Sequence, residues 1–212
     1  MAGRGAVPAD AKAVAVTLTA VEPLFDGFLT AFPCGGPPPN ASSVNFTAGS
    51  VTPNAAIVQV GVSGSICVLS NTDTDLVVDV TGYDARWTVA RTFEPQRILD
   101  TRPGFTTADQ QAAGEGRRPG DAVLELAVSG RLGIPAGIRA MVLNVTVTEP
   151  ESDGFVTVYP CGGARPATSS LNYAKGQTVS NLVVVGDSAQ GRVCIYTQRP
   201  TQVVVDVSGY HT

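Results

Sequence analysis

Slid against itself, the 212-residue chain matches at one dominant offset, 127 residues. EPLFDGFLTAFPCGG (22–36) pairs with EPESDGFVTVYPCGG (149–163), and ASSVNFTAG (41–49) with TSSLNYAKG (168–176). SICVLS (65–70) pairs with RVCIYT (192–197), and DLVVDVTGY (75–83) with QVVVDVSGY (202–210). Between 3–85 and 130–212, about 32 of 83 pairs are identical, without a gap. Two copies this similar must fold alike. The expected organisation is a first repeat over 1–85, a connecting segment over 86–129 and a second repeat over 130–212.

Composition says what each copy folds into. There are 30 Val, 21 Thr and 6 Ile against 12 Leu, cut by 23 Gly and 15 Pro. β-Branched residues interrupted by turn formers point to an all-β chain, and away from helical bundles and βαβ nucleotide-binding folds. Alternation agrees. Val14, Val16 and Leu18 face one way, and Ala15, Thr17 and Thr19 the other. In the second copy Met141, Leu143, Val145 and Val147 oppose Asn144, Thr146 and Thr148, which predicts half-buried antiparallel strands. Asp-Gly at 26–27 and 153–154 marks a turn into the next strand. The expected architecture is two β-sandwich-like repeats with pseudo-two-fold symmetry; one fused β-barrel is the alternative.

The connecting segment occurs once. It carries RTFEPQRILDTRPG (91–104), the polar stretch TTADQQAAGEGRRPGD (106–121) and the strand-like DAVLELAVSG (121–130). The polar stretch lacks apolar periodicity and reads as a mobile loop, leaving the DTR motif and one strand. At RILDTRPG (97–104), VSGRLGIPAG (128–137), LNVTVTEP (143–150), GFVTVYPCG (154–162), SSLNYAKGQTVSN (169–181) and VVVDVSGY (203–210), the chain resembles a known family. This is the β-rich tandem repeat of secreted and cell-surface proteins of actinobacteria and related bacteria, often beside peptidoglycan-amidase, protease or other hydrolase domains. The resemblance implies a non-catalytic accessory module with no catalytic residues to carry over. It also implies that each copy begins with the DTR-type motif, which the first copy lacks.

Cys34 and Cys67 occupy the same places as Cys161 and Cys194. Of three connectivities, repeat symmetry selects Cys34–Cys67 and Cys161–Cys194, each copy closing its own bridge. Buried free thiols and a zinc site are the rival readings; zinc is disfavoured by the absence of CxxC spacing and a sole, penultimate histidine, His211. Disulfides place the protein in an oxidising compartment, extracellular or at the cell surface. No signal peptide is expected within this sequence, because the first residues contain no continuous apolar stretch. The net charge of −4 and the scattered arginines argue against nucleic acid as a partner, and strand-sized apolar stretches argue against membrane insertion.

Chemistry is sparse. Neither a nucleophile motif nor a cofactor or metal motif is present, so neither cofactor nor metal is expected. Glu22, Asp26, Asp79, Glu149, Asp153 and Asp206 recur by symmetry, but turns and strand ends account for several of them, and a hydrolase is a distant third reading. Arg97, Asp100 and Arg102 form the densest charged motif. Asp79 and Asp206 sit inside VVDV runs, where an unpaired buried charge is costly. An arginine of the motif is therefore expected to pair with at least one of these aspartates. Phe28, Tyr83, Phe155 and Tyr210 are the aromatic candidates for ligand binding, and the SSxN motifs (42–45, 169–172) are expected to make turn hydrogen bonds. The expected role is structural or adhesive at a bacterial surface. Self-association through an open sheet edge in the first copy is expected. Cell-wall or other polysaccharide binding is the alternative.

Overall fold

Alternating apolar residues set the strands, and glycine, proline and Asp-Gly turns end them. The protein is described by a computed structural model covering residues 1–85 and 91–212; the first five residues of the connecting segment, 86–90, lie outside the described residues. The first repeat forms β1 (Ala13–Val21), β2 (Gly27–Pro33), β3 (Val44–Phe46), β4 (Val51–Gln59), β5 (Ile66–Ser70) and β6 (Asp75–Asp84). The connecting segment forms β7 (Arg91–Asp100) and β8 (Ala122–Ala127). The second repeat forms β9 (Ala140–Thr148), β10 (Gly154–Pro160), β11 (Leu171–Tyr173), β12 (Val179–Gly186), β13 (Arg192–Thr197) and β14 (Gln202–His211).

These strands make four antiparallel sheets in two halves, as an all-β repeat requires. The first half pairs a β4-β1-β6 sheet with a β3-β2-β5 sheet. The second pairs β12-β9-β14-β7 with β11-β10-β13-β8. Each half has its own core. Val14, Val16, Leu18, Leu29 and Val44 fill the first, and Ile98, Leu99, Leu143, Val145 and Val205 fill the second. A fully buried side chain of this size is worth about 1.5–3 kcal/mol, so each sandwich carries a substantial apolar term.

The connecting segment supplies two strands rather than the expected one, and both join the second half. β7 pairs with β14, and β8 with β13. β7 escapes a periodicity reading because Pro95 and four charged residues interrupt it. Pro95 has no ladder partner: the register breaks between Val207↔Gln96 and Gly209↔Thr92, which tolerates the missing N–H. The polar stretch is also not the free loop its composition suggests. The Ala108 N–H donates to the Arg97 carbonyl (2.9 Å), that of Gly114 to Asp100 (2.8 Å), and that of Gly116 to Thr101 (2.8 Å). Arg118 and Thr201 exchange backbone bonds of 2.8 and 3.1 Å.

β1 is half-buried as its alternation predicts. β9 is not: Asn144, Thr146 and Thr148 are buried too, at 9%, 4% and 8% exposure, on the face opposite the fully buried valines. The first half lies on that polar face. Alternation reports which side meets the strand's own core; it carries no information about a second body seated on the other side.

Candidate functional site

The densest chemistry in the chain lies at the seam between the halves. On adjacent strands, β7 and β14 bring Arg97 beside Asp206. Arg97 Nε donates to Asp206 Oδ1 (2.9 Å) and Nη2 to Oδ2 (3.3 Å), while Nη1 reaches Asp100 Oδ2 (3.3 Å). Arg102 grips the same Asp100 through Nε (2.9 Å) and Nη2 (2.7 Å). Arg97 is 8% exposed, Asp100 0% and Asp206 1%. From the other half, the Ser42 N–H donates to Asp206 Oδ2 (3.1 Å). Burial pushes the Asp206 carboxyl up against the opposing pull of Arg97. Burial also works against the charged Arg97, but Asp206 and Asp100 outweigh it and raise the guanidinium above its ordinary value. Asp79, the counterpart of Asp206, stands apart, exposed on β6.

Beside this cluster, asparagines stitch the halves together. The Asn54 amide donates to Ser43 O (2.7 Å) and to Asn144 Oδ1 (3.0 Å), and its Oδ1 accepts the Leu182 N–H (3.1 Å). Asn144 Nδ2 donates to Ser42 O, and the Asn45 N–H donates to Ser180 Oγ (3.2 Å). The counterpart of Asn54, Asn181, is exposed and, among the described residues, donates within its own half, to Ser170 O (2.8 Å). The seam therefore joins different surfaces of the two repeats, and the two-fold relation expected from the repeat does not extend to these bonds. Ser43 and Ser170 make matched bonds across to the neighbouring strand rather than within a turn, accepting from the Ala31 N–H of β2 and the Val158 N–H of β10 at 3.0 Å each. No motif in the sequence singles out Asn54; its identity with Asn181 across the repeat is the one signal the residues carry. Asn54→Ala strands the Leu182 N–H and the Asn144 carbonyl, and is expected to cost about 1–3 kcal/mol, read by urea unfolding.

A groove of about 220 Å³ opens along the seam, lined by Phe28, Asn40, Asn45, Arg102, Phe105 and Thr146 among others. The Arg102 guanidinium lies 3.8 Å from the centroid of the Phe105 ring. The four aromatic candidates do not share a platform, since each belongs to a different sheet. Phe28 is in the groove, Phe155 packs against Tyr196 (5.8 Å between centroids), Tyr210 against Phe93 (6.3 Å), and Tyr83 is exposed on β6. The turn carboxylates cap turns: Asp26 Oδ1 accepts from the Ala48 N–H (2.9 Å), and Asp153 Oδ1 from that of Lys175 (2.8 Å).

Both disulfides are present, Cys34–Cys67 and Cys161–Cys194, each with a Cα–Cα distance of 5.0 Å. Among the described residues no group of three or more His, Cys, Asp or Glu is placed to hold a metal ion. Against protein-family models, curated proteins and solved structures alike, the chain finds no match.

A second ion pair anchors the connecting segment. Arg131 Nε and Nη2 each reach an oxygen of Asp109 at 2.7 Å, which draws the Asp109 carboxyl below its ordinary value of 3.8. A carboxyl lowered by folding stabilises the folded state above its unfolded value. That contribution is lost as pH falls below 3.8 through the lower folded value. Arg131→Met is expected to remove this part of the acid dependence, so that its unfolding free energy falls less steeply below that pH than that of the unaltered chain.

Proposed function

We propose that this chain is a non-catalytic extracellular repeat module with a structural or adhesive role at a bacterial surface. The observation that carries the reading is the fate of the charged motif. Arg97, Asp100 and Asp206 are buried and turned toward one another, and the partly exposed Arg102 is turned onto Asp100, so this dense set of ionisable groups braces strands and the seam. Two disulfides are consistent with an extracellular protein. The family resemblance of the motif series supports the same reading. Hydrolase screens on peptidoglycan and polysaccharide substrates are expected to give no turnover above the Asp26→Ala and Asp153→Ala variants. Turnover abolished by either variant overturns the proposal.

A second reading, binding of cell-wall or other polysaccharide, is favoured by the seam groove. There an aromatic ring, a guanidinium and amide groups face one cavity, the mixture that sugar sites use. A glycan array with a peptidoglycan pull-down separates the two. Saturable binding that Phe105→Ala removes establishes the second reading; its absence leaves the structural role.

A further inference from the structure

The two halves carry the same repeat, yet only the second has strands β7 and β8. The repeat offset makes the difference readable residue by residue. Leu76 is 42% exposed, whereas its counterpart Val203 is 0% exposed; Val80 is 41% exposed, and Val207 0%. In the second half β7 covers the edge of β14 and β8 that of β13. In the first, among the described residues, the outer edges of β6 and β5 pair with nothing.

The charges tell the same story. Asp206 is held by Arg97, while Asp79 is exposed with no ion-pair partner among the described residues. Arg131 is held by Asp109, while its counterpart Arg4 is exposed and equally unpaired among them. Glu149 is met by Arg117, whereas its counterpart Glu22 lines an open cleft of about 570 Å³. That cleft is bounded by Ser70–Asp75. The matching stretch in the second half, Thr197–Gln202, is covered by the connecting segment. There Thr197 Oγ1 donates to Pro119 O (2.9 Å), the Asp121 N–H to Gln198 O (3.2 Å), and Thr201 pairs with Arg118.

We propose that the first half is an acceptor site for a polypeptide segment of the β7–β8 type. Its occupant adds one strand beside β6 and one beside β5. It brings a cation to Asp79, an anion to Arg4 and a second cation to Glu22, in the order and spacing of Arg97, Asp109 and Arg117. Edge-to-edge pairing of two copies through β6 is opposed by charge in the antiparallel register centred on Val77, which sets Asp75 of one copy opposite Asp79 of the other. The proposal goes beyond the structural or adhesive role proposed above, and its failure leaves that role intact.

The test uses the full chain and a synthetic peptide of residues 91–129. Titration calorimetry is expected to show one peptide bound per chain, with a rise in the thermal midpoint. Asp79→Lys, at an exposed position that leaves the circular dichroism spectrum unchanged, is expected to weaken binding at least tenfold. A peptide carrying Arg97→Asp is expected to bind the unaltered chain equally poorly and to recover affinity for Asp79→Lys. No uptake overturns the proposal. So does uptake indifferent to Asp79 and Arg4, which reports exchange into the second half, and so does dimerisation through β6 without uptake.

Discussion

Arg97→Ala is expected to lower the unfolding free energy by about 3–5 kcal/mol, the cost of leaving a buried charge without its partner. Arg97 is the only cation touching Asp206 among the described residues, and it also braces Asp100. Both carboxylates are sealed from water, so the loss cannot be repaired by hydration. The seam weakens with it, because Asp206 also accepts the Ser42 N–H from the other half. Guanidinium unfolding measures the effect. The diagnostic control is a pair of apolar replacements, Arg97→Met with Asp206→Leu, which removes both charges and is expected to recover most of the loss. Asp79→Ala, at the exposed counterpart, is expected to stay within about 0.5 kcal/mol of the unaltered chain. Equal losses from Asp79→Ala and Asp206→Ala would refute the assignment of the buried pair.

Removing a disulfide is expected to cost about as much. Each bridge joins cysteines 33 positions apart. A loop of that length contributes about 3–4 kcal/mol in the chain-entropy model, by restricting the unfolded chain. Cys161→Ser with Cys194→Ser releases β10 from β13, whose facing residues Tyr159 and Cys194 are ladder partners. Cys34→Ser with Cys67→Ser does the same for β2 and β5. The second removal is expected to lower the thermal midpoint more, since the outer edge of β5 has no strand partner among the described residues. Thermal unfolding of each double variant, with a thiol assay reading zero free thiols in the unreduced parent, checks both statements. Titration of free thiols in the native parent would refute the pairing.

Much of the fold is legible in the residues. The repeat fixes the two halves, the β-branched alternation fixes strands such as β1, and the paired cysteines match their symmetric positions. The charged motif is legible as an ion-pair element only in part: RILDTR identifies its cations, but VVDV occurs twice and nothing local separates the two copies. The connecting segment is less legible. Pro95 and the arginines hide a strand from any periodicity, and a polar stretch without alternation still lies hydrogen-bonded along strand ends, because backbone groups pair irrespective of side-chain hydropathy.

By itself the sequence determined that this is a duplicated all-β chain with one bridge within each copy, because period-two patterning and repeat identity are local properties written into consecutive residues. Only the tertiary structure decided that β9 is buried on both faces, that Asn54 binds across the seam while Asn181 does not, and that Asp206 is sealed while Asp79 meets solvent. The physical reason is the same each time. Identical local sequences acquire different environments according to which neighbour packs against them, and here β7, β8 and the first half all gather on one of the two copies.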